Sequence, residues 1–419
     1  MTTFYDALET RSREARQAAL MAALPQQILH AQQASPAFAG ILAGVDAAGV
    51  TSRAALARLP VTRKSELLAL QQQHRAPGGS GNVFGGFSAL AFGAAMPRVF
   101  ASPGTLYEPE GTRRDYWRVA RAMYAAGIRP GELVHNAFSY HFVPAGSMME
   151  SGAHALGCTV FPGGTGQTEQ QVQAIAELRP QAYAGTPSFL KIIVEKAASM
   201  GIPLPSMRRA LVSGEAFPPS LRDWLAERGI HAYQCYATAD LGLIAYETEA
   251  REGLVLDEGV IVEVVRPGTG DPVPEGEVGE LVVTTLNPDY PLIRVGTGDL
   301  SAVLPGTCPT GRTHTRIKGW MGRADQTTKV RGMFVHPGQI AEIVRRFPEV
   351  LKARLVVGGE MANDHMTLRL ESTSADPGLA DRVGDAVRDV TKLRGTIELA
   401  PPGSLPNDGK VIEDTRTYQ

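Results

Sequence analysis

The alternation of strands and helices that decides the fold is clearest in residues 210–240, which read ALVSGEAFPPSLRDWLAERGIHAYQCYATAD. Residues 210–212 and 232–236 are apolar strand patterns, and a helical pattern separates them. The alternation begins at about residue 112, and it predicts earlier strands at 133–138, 158–161 and 182–184. Strands and helices at this spacing predict a parallel β-sheet covered by helices on both faces.

The rest of the chain differs from this central region. Residues 6–22 have a helix-forming composition, and the glycine-rich residues 77–93 predict a loop or a pair of hairpins. Helices are also expected at 116–123 and from Thr168, where Gln171 stands at capping-box spacing. Later segments are predicted as strands at 259–266, 278–285, 353–357 and 365–371, and as helices at 338–346 and 379–394.

The predicted fold class is therefore α/β. Residues 1–322 are expected to form a large N-terminal body of helix-covered parallel sheets plus a β-rich subdomain, and residues 323–419 a small C-terminal α+β lid domain. The length of 419 residues agrees with two or three domains.

Composition and charge exclude several classes of protein. Hydrophobic residues make up 43% and charged residues 20%, and the formal net charge is −2, so there is no electrostatic case for binding nucleic acid or an anionic membrane. No apolar run approaches the ~18 residues of a membrane-spanning helix. The first twenty residues lack the apolar core of a signal peptide, and three scattered cysteines make no disulfide framework. We expect a cytoplasmic protein.

Common catalytic motifs are missing from the sequence. It has no Walker-type phosphate loop, dinucleotide fingerprint, nucleophile elbow or cysteine- and histidine-rich metal cluster. What remains is a set of loops rich in glycine, threonine and acidic residues that follow predicted strands. Open α/β sheets bind ligands in such loops.

Two of these loops offer small residues to a ligand. The first contains Ser102, Gly104 and Thr105, whose backbone N–H groups could face phosphate, although a tight turn explains the same residues. The second runs Ser213-Gly214-Glu215-Ala216 after a strand and offers a platform for a planar base.

Three further stretches carry charged side chains. In Tyr236-Ala237-Thr238-Ala239-Asp240, the tyrosine could stack and Asp240 could hold Mg²⁺, although Thr238 could instead cap a helix. Asp299 in Gly296-Thr297-Gly298-Asp299 could take both hydroxyls of a ribose or could stand in a β-turn. The last stretch joins body and lid, contains Arg323, Asp325 and Gly332, and could equally be a polar linker.

Read in order, these five stretches resemble the adenylate-forming acyl-CoA synthetase superfamily, and most closely its phenylacetate–CoA ligase branch. Four more stretches add to the likeness, which covers almost the whole chain: Leu59-Pro60-Val61-Thr62-Arg63-Lys64, residues 127–136, residues 185–188 and residues 306–309. The resemblance implies ATP, Mg²⁺ and coenzyme A as cofactors. It also implies two half-reactions, the first forming an acyl-adenylate and pyrophosphate and the second a CoA thioester and AMP.

The same resemblance implies roles for individual residues. Gly214 and Glu215 would lie along adenine, Asp299 would hold the ribose, and Asp240 would replace the magnesium-binding glutamate of the family. In the lid region, Arg323 would contact ribose and phosphate, and Asp325 would be the hinge of a mobile lid. Gly332 would line the pantetheine tunnel. Lys410 would meet the carboxylate and the α-phosphate. Taken by itself, Lys410 could be an exposed lysine of the tail.

The chain departs from the family where phosphate is bound. The family loop reads Ser-Ser-Gly-Thr-Thr-Gly-Lys-Pro-Thr, whereas Tyr107 stands here at the second glycine and Glu108 at the lysine, and Pro103 removes a backbone donor. Ala239 and Asp240 replace the usual Thr or Ser and Glu. These changes predict weakened or altered use of ATP.

The acyl pocket is expected in the loop that begins at Asn136. Phe138, Tyr140 and Phe142 could sandwich an aryl ring, although three aromatics are also common in a core. His141 could polarise the carboxylate or be an ordinary loop histidine, and Gly185 is placed in the pocket by the resemblance.

The leading hypothesis is an aryl-CoA ligase for a small aromatic acid such as phenylacetate, with a homodimer implied by the family alone. Two alternatives stay open at this point. One transfers the acyl group to a carrier protein or an amine, and the other is a non-catalytic or altered relative that binds a nucleotide or acyl ligand.

Overall fold

The chain folds into two compact units, Met1–Gly322 and Arg323–Gln419. The computed structural model describes residues 3–102, 105–266, 269–321, 324, 328–335, 337–360, 363–374, 376, 378–406 and 410–416. In the described residues no helix is both long and apolar enough to cross a membrane.

The first unit contains both helices and strands. The helices are α1 (Arg13–Ala34), α2 (Pro36–Ile41), α3 (Arg53–Leu56), α4 (Lys64–Arg75), α5 (Ala120–Ala125), α6 (Ala145–Leu156), α7 (Thr168–Leu178), α8 (Pro187–Ser199) and α9 (Pro219–Ala226), with 3₁₀ helices at Ala7–Thr10 and Ala47–Gly49. The strands are β1 (Thr62–Arg63), β2 (Arg98–Ser102), β3 (Leu106–Glu110), β4 (Leu133–Asn136), β5 (Thr159–Phe161), β6 (Ala182–Gly185), β7 (Arg209–Val212), β8 (His231–Thr238), β9 (Gly242–Glu247), β10 (Leu254–Leu256), β11 (Val260–Val265), β12 (Gly279–Thr285), β13 (Val295–Ser301), β14 (Val303–Leu304) and β15 (Arg316–Ile317).

A nine-stranded sheet in the order β14-β15-β10-β9-β8-β7-β6-β4-β5 organises this unit. The neighbours from β8 to β5 pair in parallel, which confirms the predicted parallel α/β fold, and those from β8 to β14 pair antiparallel. A four-stranded sheet in the order β1-β13-β12-β11 forms the β-rich part, and β2 and β3 form a separate hairpin. Because β4, β6, β7 and β8 are parallel, their carboxyl ends lie along one edge of the sheet.

Two predicted helix starts differ from the structure because capping groups decide them, and a third helix starts as predicted but without the expected cap. The N-terminal helix begins at Arg13 and continues to Ala34, since the Ser12 side chain accepts a hydrogen bond from the N–H of Ala15. The next begins at Ala120, where the Asp115 carboxylate accepts from two backbone N–H groups. Helix α7 does begin at Thr168, but its N-cap is Gln167 and no side chain caps it, so the capping-box interpretation is wrong.

The second unit is a small α+β domain. Its elements are β16 (Thr328–Val330), β17 (Met333–Val335), α10 (Pro337–Arg345), β18 (Val350–Glu360), β19 (Asn363–Ser372), α11 (Leu379–Thr391), β20 (Thr396–Ala400) and β21 (Ile412–Asp414). The longer strands form a sheet in the order β20-β19-β18-β21, and β16 pairs with β17. An apolar core that includes Ile343, Leu368 and Val383 joins this sheet to its two helices.

Candidate active site

The loop expected to bind phosphate is the turn of the β2–β3 hairpin. Ser102 and Leu106 are the last paired residues before the turn, and the N–H of Thr105, at φ +63°, donates to the Ser102 carbonyl at 3.1 Å. Gly104 lies outside the described residues. The Ser102 hydroxyl, a predicted phosphate contact, donates to the Glu108 carboxylate at 3.1 Å. The hairpin therefore holds the acidic side chain of Glu108 against Ser102, at the start of its turn.

Helix α4 holds the hairpin in place. The Gln71 side chain makes two hydrogen bonds of 2.8 Å with the backbone N–H and carbonyl of Tyr107, and the Arg75 guanidinium lies 4.8 Å from the centre of the Tyr107 ring. Tyr107, which occupies the position of a family glycine, thus has a structural role in anchoring the hairpin.

The same helix delivers a cation to the site. Lys64 is the first residue of α4 and directly follows β1, which pairs in parallel with β13. Its ammonium lies 3.2 Å from Oδ1 of Asp240, whose side chain is fully buried, while the Lys64 side chain is 38% exposed. The Thr238 hydroxyl donates to the same oxygen of Asp240 at 2.5 Å. Thr238 therefore supports the carboxylate, and it lies in a strand rather than at a helix N-cap.

Two buried carboxylates have oxygens without a partner in this cluster. Glu108 is 2% exposed and Asp240 is 6% exposed. Oε2 of Glu108 and Oδ2 of Asp240 are both buried and accept no hydrogen bond from the described residues. A buried oxygen without a hydrogen-bond donor raises the free energy of the folded state, so each of these oxygens could accept a further cation or a proton.

The electrostatics of the cluster follow from this burial. Burial, with a further contribution from Asp240, raises the pKa of Glu108 to about 8, although Lys64 and the Ser102 hydroxyl act in the opposite direction. For Lys64, burial lowers the pKa, but the carboxylates of Asp240, Glu108 and Asp299 outweigh it and the net pKa is raised. Lys64 is thus a charged lysine facing more than one acid.

These residues fit a magnesium ion that arrives with a nucleotide. Mg²⁺ is commonly bound by one or two carboxylates together with substrate phosphates and water, not by a cage of protein ligands. The orphaned oxygens of Asp240 and Glu108 are suitable donors. In the described residues no group of three or more His, Cys, Asp or Glu side chains could hold a metal ion.

The predicted ribose ligand, Asp299, lies within strand β13, so the β-turn interpretation is wrong. One of its oxygens accepts a hydrogen bond of 2.7 Å from the Tyr236 hydroxyl, and the other accepts one of 3.0 Å from the Trp320 indole. Tyr236 therefore orients this carboxylate, a contact that the sequence did not reveal. Ala237 follows at a β-bulge between β8 and β9.

The predicted adenine platform follows β7. The Ser213 hydroxyl donates to the Cys235 carbonyl in β8 at 2.8 Å, and Gly214 adopts φ +85°. The Glu215 carboxylate accepts a hydrogen bond of 2.7 Å from the N–H of Ser188. Ala216 continues the loop toward α9. The platform is thus tied both to β8 and to the start of α8.

The loop after β4 is built around Asn136. Its amide nitrogen donates to the Tyr140 hydroxyl at 2.7 Å and to the Gly146 carbonyl at 2.8 Å. Tyr140 in turn donates to the Glu150 carboxylate at 2.7 Å, and burial and this carboxylate raise the pKa of the Tyr140 phenol. The predicted pocket residues Asn136 and Tyr140 are brought together by a hydrogen-bond network.

The aromatic side chains of this loop do not form the predicted sandwich. Phe138 is buried in the core beside β4, whereas Phe142, at φ +62°, is 82% exposed, and His141 is also exposed. However, the Phe142 carbonyl accepts a hydrogen bond of 2.8 Å from the N–H of Ala101 in β2. The loop is therefore attached through its backbone to the β2–β3 hairpin (the phosphate hairpin, after the predicted role of its turn).

Gly185 ends strand β6 in a tightly filled position. A Cβ at this residue would lie 2.1 Å from the hydroxyl of Tyr183, so only glycine fits. The rings of Tyr183 and Phe161 both stack on His135. A ring nitrogen of His135 also lies 2.6 Å from the Gln171 amide oxygen. Burial lowers the pKa of His135, although the hydrogen bond with Gln171 acts in the opposite direction.

The predicted lid residues belong to the second unit. Gly332, at φ +82°, stands in the turn between β16 and β17, and Lys410 precedes β21. Arg323 and Asp325 lie outside the described residues.

Lys64 is a candidate site residue to which the sequence assigned no role. It is the last residue of Leu59-Pro60-Val61-Thr62-Arg63-Lys64, a stretch that was used only to establish the resemblance. The sequence did contain a signal for this residue, because a lysine in a family motif can provide a positive charge to a bound anion. Its partner, Asp240, could be identified only from the pairing of β1 with β13 and the resulting path of α4.

Comparisons with known proteins identify the family of this chain. A family model described as AMP-binding enzyme matches residues 114–287. The phenylacetate–coenzyme A ligase of Thermus thermophilus is 31% identical, with 95% of each chain covered, and that of Pseudomonas putida is 33% identical over 67% of this chain and 68% of its own. A crystal structure of 2-hydroxyisobutyryl-CoA ligase, in complex with 2-HIB-AMP and CoA, is 25% identical with a TM-score of 0.85 and covers 100% of this chain and 93% of its own.

Members of this branch join a carboxylic acid to coenzyme A at the expense of ATP, with Mg²⁺ and an acyl-adenylate intermediate. The chain belongs to the AMP-binding enzymes, in the phenylacetate–coenzyme A ligase-like branch of the adenylate-forming superfamily, and its enzyme class is AMP-forming acid–coenzyme A ligase.

Proposed function

We propose that this ligase activates a small aromatic carboxylic acid of the phenylacetate type. The acid and ATP give an acyl-adenylate and pyrophosphate, and the thiol of coenzyme A then displaces AMP to give the aryl thioester. The names of the curated relatives, at 31% and 33% identity, support an aromatic acid.

The observation that carries the proposal is the hydrogen bond between Ala101 and Phe142. It joins the phosphate hairpin to the loop that contains Phe138, Tyr140 and Phe142. An acid that lies on this loop would present its carboxylate beside the bound phosphates. Adenylation needs this proximity, because one carboxylate oxygen must reach the α-phosphorus as the bond to pyrophosphate breaks.

The described residues supply charge rather than a nucleophile. The substrate carboxylate attacks by itself, so the protein has to reduce the repulsion between two anions. Lys64 is a partly exposed ammonium beside Asp240, which would hold Mg²⁺, and Asp299 would orient the ribose. When bound, Mg²⁺ neutralises charge on the phosphates. By the family resemblance, Lys410 of the second unit would meet the α-phosphate.

A second candidate substrate is a small aliphatic acid. Phe142 is 82% exposed and Phe138 is buried in the core, so the described loop shows no aromatic slot. The solved relative with a TM-score of 0.85 is named for 2-hydroxyisobutyrate.

Pyrophosphate release with a panel of acids distinguishes these candidates. We expect ATP- and Mg²⁺-dependent release with phenylacetate or benzoate, and an aryl-CoA product by mass spectrometry when coenzyme A is added. Faster turnover of 2-hydroxyisobutyrate would replace the aromatic proposal with the aliphatic one. Release without a thioester would indicate a carrier protein or an amine as acceptor.

A matched pair of lysine variants tests the role given to the site. Lys64→Met should abolish most of the release because the phosphates lose their nearby cation. Lys191→Met removes a lysine from helix α8 that is paired only with Glu195 and Trp224 in the described contacts, and it should behave as wild type. Equal activity of both variants would show that Lys64 does not serve the phosphates.

A further inference from the structure

We propose that Glu108 is a second protein ligand, beside Asp240, for the divalent cation that accompanies ATP. The phosphate hairpin of this chain would then deliver a metal ligand at the position where the loop of the family carries a lysine. The inference rests on the proposed function only for the use of the cation with ATP. The two carboxylates would bind the cation before a nucleotide arrives as well, whichever acid is activated.

The first support is the direction in which Glu108 is presented. Strand β3 pairs Glu108 with Phe100 of β2, and the Ser102 hydroxyl binds one of its oxygens. Among the residues that the structure describes, none donates to the other, buried oxygen or to one oxygen of Asp240. A surface glutamate that had merely replaced a lysine would turn to solvent, whereas this side chain is 2% exposed.

The second support is the charge of the cluster. Glu108 and Asp240 repel one another, and both are attracted by Lys64, which also feels Asp299. Lys64 contacts Asp240 at 3.2 Å and leaves the free oxygens of both acids without a hydrogen bond. A divalent cation would displace the proton from Glu108 and satisfy both oxygens, because carboxylates are preferred ligands of Mg²⁺ and Mn²⁺.

The arrangement explains how a glutamate can stand beside a triphosphate. A bare carboxylate would repel the phosphates, but a carboxylate that holds their metal brings positive charge to the same place. Lys64, at 38% exposure, is able to turn from Asp240 toward the phosphates when the metal arrives. The positive charge that the family places in the loop would come here from the metal and from helix α4.

Binding of Mn²⁺ to the full-length, nucleotide-free protein tests the inference without any need for activity. Free Mn²⁺ is measured by electron paramagnetic resonance during titration of wild type, Glu108→Gln and Glu110→Gln. Glu110 is two residues along the same strand and is held by Arg98, so it is the matched control. We expect Glu108→Gln to weaken Mn²⁺ binding at least about tenfold and Glu110→Gln to leave it unchanged.

Lys64→Met supplies an independent test with the opposite sign. Without nucleotide, removal of this ammonium should tighten Mn²⁺ binding, because it competes with the metal for Asp240 and Glu108. The inference is overturned if wild type binds no Mn²⁺, if Glu108→Gln binds it as tightly as wild type, or if Lys64→Met binds it less tightly. A chain that binds Mn²⁺ through Glu108 and yet activates no aromatic acid would refute the proposed function and leave this inference standing.

Discussion

Replacing Glu108 by glutamine should remove a pH-dependent loss of stability from the metal-free protein. Burial and Asp240 raise the pKa of Glu108 from 4.5 to about 8, so the folded chain retains a proton that the unfolded chain has already lost at neutral pH. The stabilisation from this proton is complete below pH 4.5 and is lost as the pH rises through about 8. Glutamine is neutral throughout, so the variant avoids this loss.

The size of the effect follows from the shift in pKa. A change from 4.5 to about 8 corresponds to ~5 kcal/mol in the free energy of unfolding, as an upper figure. Relaxation of the surrounding groups and entry of water around the ionised carboxylate will recover part of this cost. We therefore expect the unfolding free energy of Glu108→Gln, relative to wild type, to rise by about 2–5 kcal/mol between about pH 5 and pH 9.

Thermal unfolding of both proteins in EDTA at several pH values measures this difference. The melting temperature of Glu108→Gln should exceed that of wild type by several degrees at pH 9, and the gap should close toward pH 5. Glu227→Gln, at a side chain that is 75% exposed, is the control and should show no such trend. A gap that stays constant with pH would refute the argument, because Glu108 would then have the same pKa in the folded and unfolded chains.

Three further changes test other parts of the structure. Lys64→Met should lower kcat/KM for ATP about 10²- to 10³-fold in a pyrophosphate assay, with partial recovery in Lys64→Arg, and an unchanged value would contradict its phosphate role. Gly185→Ala would place a Cβ 2.1 Å from the Tyr183 hydroxyl, so it should reduce the free energy of unfolding by ~1–3 kcal/mol and lower the melting temperature. A wild-type melting curve would mean that Tyr183 moves freely. Arg294→Met breaks a fully buried pair with Glu263 and should cost ~3–5 kcal/mol in chemical denaturation, whereas the double variant with Glu263→Met should recover part of that loss.

Local patterns were sufficient for most of the element order. Strands β4, β6, β7 and β8 and helices α10 and α11 all lie within a few residues of their predicted positions. Residues 77–93 contain no strand in the described structure, so the loop alternative is confirmed over the hairpin pair. Such features depend on apolar periodicity and on glycine, which act over a few neighbouring residues. Helix starts were less accurate, since they depend on single side chains such as Ser12 and Asp115.

The geometry of the site depended much less on local pattern. The sequence by itself determined which loops follow the parallel strands, and with the family resemblance it identified Asp240, Asp299 and the departure at Glu108. The tertiary structure alone decided that Phe142 faces solvent and that Tyr236 binds Asp299. These outcomes depend on packing between segments that are far apart in the chain.

Lys64 shows the physical reason for this division. Its position in a helix is a local property, but its contact with Asp240 requires β1 to pair with β13 and α4 to pack beside the phosphate hairpin. Burial of Asp240 and Glu108 then sets the charge balance, because desolvation depends on every group that surrounds a carboxylate. Sequence thus determined the elements and the candidate chemistry, and the three-dimensional packing of distant segments decided which charges meet.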